Sequence, residues 1–229
     1  MDDLSANPEI NLEEGHKLYR CRIILDENGI NKEEGFFGYG KKDSFIPPVE
    51  KTKDMRANYR YIPYLYCAST PYVAVAESRP RLGTNLSVAT IEIKQKLVLL
   101  DFTVHNRPNK MTETKINLFS DLSEMFSKPI IEEDSILDYI PTQFIAEYAK
   151  NIGYDGIAFS SSVTPEYIGK EDDRYNVVIF NYKKCEPIKS NVFRVGRNYF
   201  ECEQIDEDEE KIEVIDYFNE RIGKIIGKI

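Results

Sequence analysis

The chain is poor in histidine, its cysteines are few and scattered, and it has no long apolar run. The two histidines, His16 and His105, cannot build a zinc site by themselves. The four cysteines, Cys21, Cys67, Cys185 and Cys202, lie at least 17 residues apart, so no C-x-x-C metal or redox pair exists. Metal catalysis is therefore not expected, and no metal is assigned. No uninterrupted apolar stretch approaches the roughly 18 to 20 residues that span a bilayer, so no membrane segment is expected. The leading residues, MDDLSANPEINLEEGHK, are polar and acidic, unlike a signal or transit peptide. The thiols are accordingly read as reduced and the chain as cytoplasmic. Neither G-x-G-x-x-G nor a Walker-type G-x-x-x-x-G-K-[ST] occurs, so a nucleotide bound here needs another device. Excess basic charge is missing too. Lys plus Arg total 30 against 39 Asp plus Glu, a formal net charge of −9, which disfavours a bulk nucleic-acid binder.

What is present suffices for a folded domain. Of the 229 residues, 41% are hydrophobic and 12% aromatic, enough for a real core in one domain with an appendage. Residues 17–25 alternate as a strand, after a loose lead-in over 1–16. A long polar segment follows to about Asn58, its glycines and Pro47-Pro48 forbidding a long helix. Residues 64–68 read as a short buried strand. Ser69 or Thr70 then caps a helix that starts at Pro71, carries Glu77 and ends at Pro80. Strands are expected over 86–93 and 97–102, and a helix over 112–127. A second helix over 141–152 has Pro141 at its start and Gly153 after its end, with Phe144, Ile145, Tyr148, Ala149 and Ile152 as its apolar stripe. Strands over 156–161 and 176–182 follow. From about residue 207, Ile212, Ile215, Phe218, Ile222, Ile225, Ile226 and Ile229 fit an amphipathic helix for packing or oligomerisation, compatible with a homodimer. Short strands interleaved with few helices, without regular βαβ repetition, define an α+β class.

Three groups of residues can carry chemistry. Glu77 lies in the apolar run Tyr72-Val-Ala-Val-Ala-Glu77 and is either an exposed helix glutamate or a carboxylate held in a cleft. Arg79 and Arg81 are near enough to be its ion-pair partners or phosphate ligands. Arg20, Arg22, Arg56 and Arg60 form the second group. Residues 41–82 hold eight basic and four acidic residues, a local +4 that suits an anionic small ligand or an ordinary solvated loop. The third group, Ser160, Ser161 and Ser162 after Phe159, can hydrogen-bond a phosphate or ribose or simply form a loop. A serine nucleophile is not expected, because no G-x-S-x-G elbow surrounds it.

Six segments in order resemble the RES domain, named for its arginine, glutamate and serine. They are Leu18-Tyr-Arg20, Arg56-Ala-Asn58, Ile62-Pro-Tyr-Leu-Tyr66-Cys-Ala-Ser69, Ala74-Val-Ala-Glu77-Ser-Arg-Pro80, Gly153-Tyr-Asp-Gly-Ile-Ala-Phe-Ser-Ser161-Ser and Tyr175-Asn176-Val-Val-Ile-Phe180. The likeness runs from about residue 17 to 188, giving a RES domain over 17–190 and an acidic extension over 191–229. Met55, Asn58-Tyr59 and Phe159-Ser-Ser-Ser162 depart from the usual pattern. They leave the leading arginine open between Arg20 and Arg22, and the serine among three, with position favouring Ser161. The resemblance implies an ADP-ribosyltransferase-like mixed fold with small antiparallel or mixed sheets around an NAD cleft. It implies a bacterial toxin that consumes NAD+, with inorganic phosphate as a candidate co-substrate, and an antitoxin partner with a helix-turn-helix region. Two alternatives are transfer of ADP-ribose to a specific protein and a degenerate, non-catalytic RES module. The roles implied are Glu77 at the ribose, Arg20 and Arg56 on pyrophosphate or phosphate, with Arg22 as the alternative, Tyr66 against nicotinamide, Ser161 on a ribose or phosphate oxygen, and Asn176 in support.

Overall fold

The computed structural model describes residues 7–25, 35–103, 112–128, 136–164 and 174–196. The amphipathic tail, His105 and Cys202 lie outside these residues. The chain divides into two units, Met1–Val195 and Gly196–Ile229, and every described strand and helix belongs to the first.

Eight strands form one mixed sheet in the order β1-β5-β6-β7-β3-β2-β4-β8. They are β1 Glu9–Leu12, β2 Lys17–Ile23, β3 Leu65–Ala68, β4 Asn85–Ile93, β5 Leu97–Asp101, β6 Gly156–Ser160, β7 Tyr175–Ile179 and β8 Cys185–Arg194. Three helices accompany them: α1 Pro71–Glu77, α2 Glu113–Ser127 and α3 Ile140–Asn151. β5 and β6 are parallel, so the chain must cross over between them, and α2 and α3 occupy that crossover. The mixed α+β class is as expected. The small sheets are joined, but only just: β2 and β3 meet at the single pair Tyr19↔Ala68. On one side β2 pairs with β4 along its whole length. On the other, β3 pairs with β7 from Leu65↔Ile179 to Ala68↔Asn176. A seam of one residue pair lets the two halves diverge, and the cleft described below opens along it.

The period-2 alternation of the strands distributes the core over both faces. Leu99, Val177 and Ile179 face one cluster with Leu18, Leu65, Ile91 and Ile93. Leu100, Ile157 and Val178 face the other, with Phe102, Phe126, Ala146 and Ala149 from the α2–α3 side. Close approach is enforced at Gly156, where a Cβ would come 2.4 Å from the Val178 carbonyl oxygen.

Three expectations need correction. Residues 9–12, read as part of a loose lead-in, form β1 and pair with β5 from Glu9↔Leu100 to Leu12↔Leu97. β8 is a ten-residue strand that crosses the boundary drawn at 190, and its sequence CEPIKSNVFR, with Ser190 buried and Val192 and Phe193 exposed, lacks the alternation that marks a strand. The stripe of α3 is turned. Thr142, Gln143, Ala146 and Ala149 are buried, while Phe144 is 64% and Tyr148 50% exposed. Small and hydrogen-bonding residues face inward because α3 must grip a loop: the Gln143 side-chain amide donates to the carbonyls of Met55 and Asn58, each at 3.0 Å.

Candidate active site

α1 presents Glu77. Thr70 caps the helix, its hydroxyl accepting from the Val73 amide at 3.2 Å, and Pro71 occupies the first turn. The helix ends at Glu77, where the Ser78 hydroxyl donates to the Val75 carbonyl at 2.7 Å. Arg79 follows with φ +43°, a left-handed conformation that turns the chain sharply. Glu77 Oε1 accepts from Asn176 Nδ2 at 2.6 Å and from Ser161 Oγ at 2.7 Å. Asn176 comes from β7 and is buried; Ser161 follows β6 directly. Three side chains separated by up to 99 residues thus meet on one carboxylate oxygen. Of the three serines, Ser161 bonds Glu77 and Ser160 Oγ donates instead to the Thr103 carbonyl at 3.1 Å, while Ser160 and Ser162 are the two that line the cleft described below.

Arg20 lies on β2 beside the seam. Its Nη1 donates to the Tyr66 carbonyl at 3.1 Å, while its Nε is buried with no hydrogen-bond partner among the described residues. Burial pulls its pKa below the usual guanidinium value. Arg22, two residues on, does not join it. Its guanidinium donates to the Asp43 carbonyl and stacks 4.7 Å from the Tyr39 ring centroid.

Arg56 sits on a loop that is held from several sides. The Tyr66 hydroxyl donates to Asn58 Oδ1 at 2.7 Å and accepts from the Ala57 amide at 3.2 Å. Asn58 Nδ2 donates to the carbonyls of Lys53 and Tyr59, both at 2.9 Å. Burial raises the Tyr66 pKa above the usual phenol value, so this hydroxyl stays protonated and serves the loop. The Arg56 guanidinium donates to the carbonyls of Met125, Phe126 and Lys128 at the C-terminal end of α2, the negative pole of that helix.

These elements enclose a cleft of about 420 Å³, within the usual range for small-molecule sites. Arg20, Arg56, Tyr66, Glu77 and Asn176 all line it. So do Arg79 and Lys128, giving four cations to one carboxylate on its walls. The sequence alone does not single out Lys128, whose only signal is its place just after a helical pattern ends. Cys21 and Cys67 also line the cleft. Burial pushes the Cys67 thiol up to about 12, which leaves it protonated and unreactive near neutral pH. Among the described residues no group of three or more His, Cys, Asp or Glu is placed to hold a metal ion. Among them, too, no helix is long and apolar enough to cross a membrane.

A mixed α+β domain with a cation-walled cleft around one anchored carboxylate is suited to binding a phosphate-bearing ligand and stabilising positive charge beside it. Residues 36–195, more than two thirds of the chain, match the RES domain, and the chain belongs to that family. The match begins after Arg20, so the place of Arg20 in the site rests on geometry. Among solved structures, the chain is similar to one from the M. tuberculosis MbcT–MbcA toxin–antitoxin complex. The likeness has 12% identity, a TM-score of 0.45, and covers 80% of this chain and 87% of that one. No curated protein matches the sequence.

Proposed function

We propose that the chain is a RES-type toxin that consumes NAD+ by breaking the nicotinamide–ribose bond. The observation that carries this reading is the anchoring of Glu77 by Ser161 and Asn176 in a cleft whose other charged walls are cationic. In the reaction the C–N bond breaks and its electron pair leaves on the nicotinamide nitrogen. Positive charge develops on the ribose, and a fixed carboxylate beside that ring lowers the barrier by several kcal/mol. Oε1 is already engaged twice, which leaves Oε2 to face the ribose and its 2′-hydroxyl. Arg20, whose buried Nε has no hydrogen-bond partner among the described residues, gains most from an anion and takes the pyrophosphate. Arg79 and Lys128 add positive potential, and Arg56 completes the cationic wall. The Tyr66 ring, fixed through its hydroxyl, supplies an aromatic face for nicotinamide.

The ADP-ribosyl group passes to water, giving ADP-ribose and a proton, or to inorganic phosphate, giving the 1″-phosphate ester. An antitoxin that covers the cleft is the partner this chemistry requires in a cytoplasm rich in NAD+. The test is direct. Purified protein incubated with NAD+, with and without phosphate, is expected to release nicotinamide. Glu77→Gln is expected to lower kcat by at least about 100-fold with an unchanged circular dichroism spectrum. A Glu77→Gln protein as active as the parent would sink the assignment. Product chromatography separates hydrolysis from phosphorolysis, and a labelled protein band without bulk NAD+ loss would replace both with protein modification.

A further inference from the structure

Ser161 makes two hydroxyl-range contacts, one to Glu77 Oε1 at 2.7 Å and one to Thr164 Oγ1 at 2.8 Å. Their polarity follows from proton counting. An ionised carboxylate only accepts, so Ser161 must donate to Glu77. A serine hydroxyl has one proton, and it is now spent. The second contact therefore runs the other way, with Thr164 donating to Ser161. Thr164 is 8% exposed, so water has little access to replace it. The result is a one-way chain from Thr164 through Ser161 to Glu77, beside the independent Asn176 bond. We propose that Thr164 is a positioning residue of this site, and that Ser161 serves to orient Glu77 instead of donating to a substrate oxygen.

The consequence is specific. Without the Thr164 hydroxyl, the Ser161 proton still has a carboxylate to seek, but the oxygen that carries it loses the contact fixing its rotamer. Glu77 Oε1 is then fixed by the Asn176 bond and only loosely by Ser161, and the plane that presents Oε2 is freer to turn. Charge stabilisation in a transition state falls steeply with such misplacement, whereas ground-state binding through the cations of the cleft wall does not.

The inference rests on the proposed NAD+ chemistry for its kinetic readout only. The experiment compares Thr164→Val, which keeps the shape and removes the hydroxyl, with Thr164→Ser, which keeps the hydroxyl. Expected for Thr164→Val is a kcat lower by roughly 10- to 100-fold, with the KM for NAD+ within about twofold of the parent, as binding apart from the transition state would give. Thr164→Ser is expected to recover most of the loss, which a purely packing role would not allow. A second readout needs no turnover: the side-chain amide resonances of Asn176, bonded to the same Oε1, should shift in Thr164→Val and return in Thr164→Ser. An unchanged kcat in Thr164→Val, or equal damage in both variants, overturns the proposal while leaving NAD+ consumption intact. If the parent protein releases no nicotinamide but the Asn176 resonances behave as stated, the positioning role stands and the reaction assignment fails.

Discussion

Glu77 occupies an electrostatically costly place. It is the last residue of α1, where the helix carries partial negative charge, and a carboxylate there is repelled. Its neighbours offset that cost with two donors on one oxygen. A carboxylate placed against the local preference and then held by Asn176 of β7 and by Ser161 just after β6 is a candidate for function. The two arginines of β2 make the contrasting case. Both lie on one strand face, two residues apart, and the sequence favours Arg20 by its motif while keeping Arg22 as the alternative. The cleft takes Arg20, while Arg22 is committed to Asp43 and Tyr39. Arg20→Lys is therefore expected to lower kcat/KM for NAD+ by about 10- to 100-fold, since lysine cannot reproduce a buried planar fork. Arg22→Lys is expected to stay within about threefold, the scale of an exposed contact. Steady-state kinetics on both variants checks this, and equal losses would mean that the wrong arginine has been placed in the cleft. Motif order along the sequence singles out Glu77 and Asn176 and favours Ser161 among three serines, and the fold brings these three side chains together. It does not separate Arg20 from Arg22 by chemistry, because that choice depends on tertiary partners: the Tyr66 carbonyl beside the seam for one, Asp43 and Tyr39 for the other.

Helices and loops show where local pattern carries and where it stops. Thr70-Pro71 makes α1 legible, because capping and proline geometry are local. The face of α3 is not, because Gln143 is turned inward by a loop 85 residues away. That loop carries Arg56, and Arg56 in turn satisfies the last carbonyls of α2. One guanidinium thus closes a helix end and stands in the wall of the cleft. Arg56→Met is expected to cost about 1–3 kcal/mol, the range for lost hydrogen bonds to a charged group. For a domain of this size that corresponds to a fall in Tm of roughly 2–10 °C, measurable by calorimetry. NAD+ is expected to restore less stability to this variant than to the parent. A variant with parental Tm would show that α2 ends securely without this arginine. Gly156→Ala tests the sheet in the same way. The new methyl would meet the backbone of β7, with Ile179 Cα at 3.2 Å, and should destabilise by about 1–3 kcal/mol.

At the scale of the molecule, the buried thiols, with the buried phenols Tyr64 and Tyr66, shape the response to alkali, and the charge distribution shapes the response to salt. Cys67 and Cys185 are each pushed from an ordinary 9.0 to about 12 by burial. Above pH 9.0 the unfolded chain loses protons that the folded chain keeps, so their contribution to stability is whole below that pH and is lost as pH rises toward 12. The urea midpoint should therefore fall through that window, and Cys67→Ala should flatten the fall even if its absolute stability is lower. The charge argument runs from composition to cleft. The net charge of −9 is uneven: residues 201–229 hold ten acids and four bases, a net of −6. The cleft wall instead has Arg20, Arg56, Arg79 and Lys128 around Glu77. Composition alone disfavours a bulk nucleic-acid binder, yet the four cations of the wall suit an anion, because low-dielectric walls focus the potential of the few charges that line them. Salt weakens that attraction before the ligand arrives but reaches the occupied cleft poorly. The KM for NAD+ is expected to rise by roughly three- to tenfold between about 50 and 500 mM NaCl, with kcat within about twofold. Lys128→Gln, which removes one of the two exposed cations of the wall, should reduce that dependence. A KM indifferent to salt in the parent protein would show that the cations serve the fold instead of the ligand.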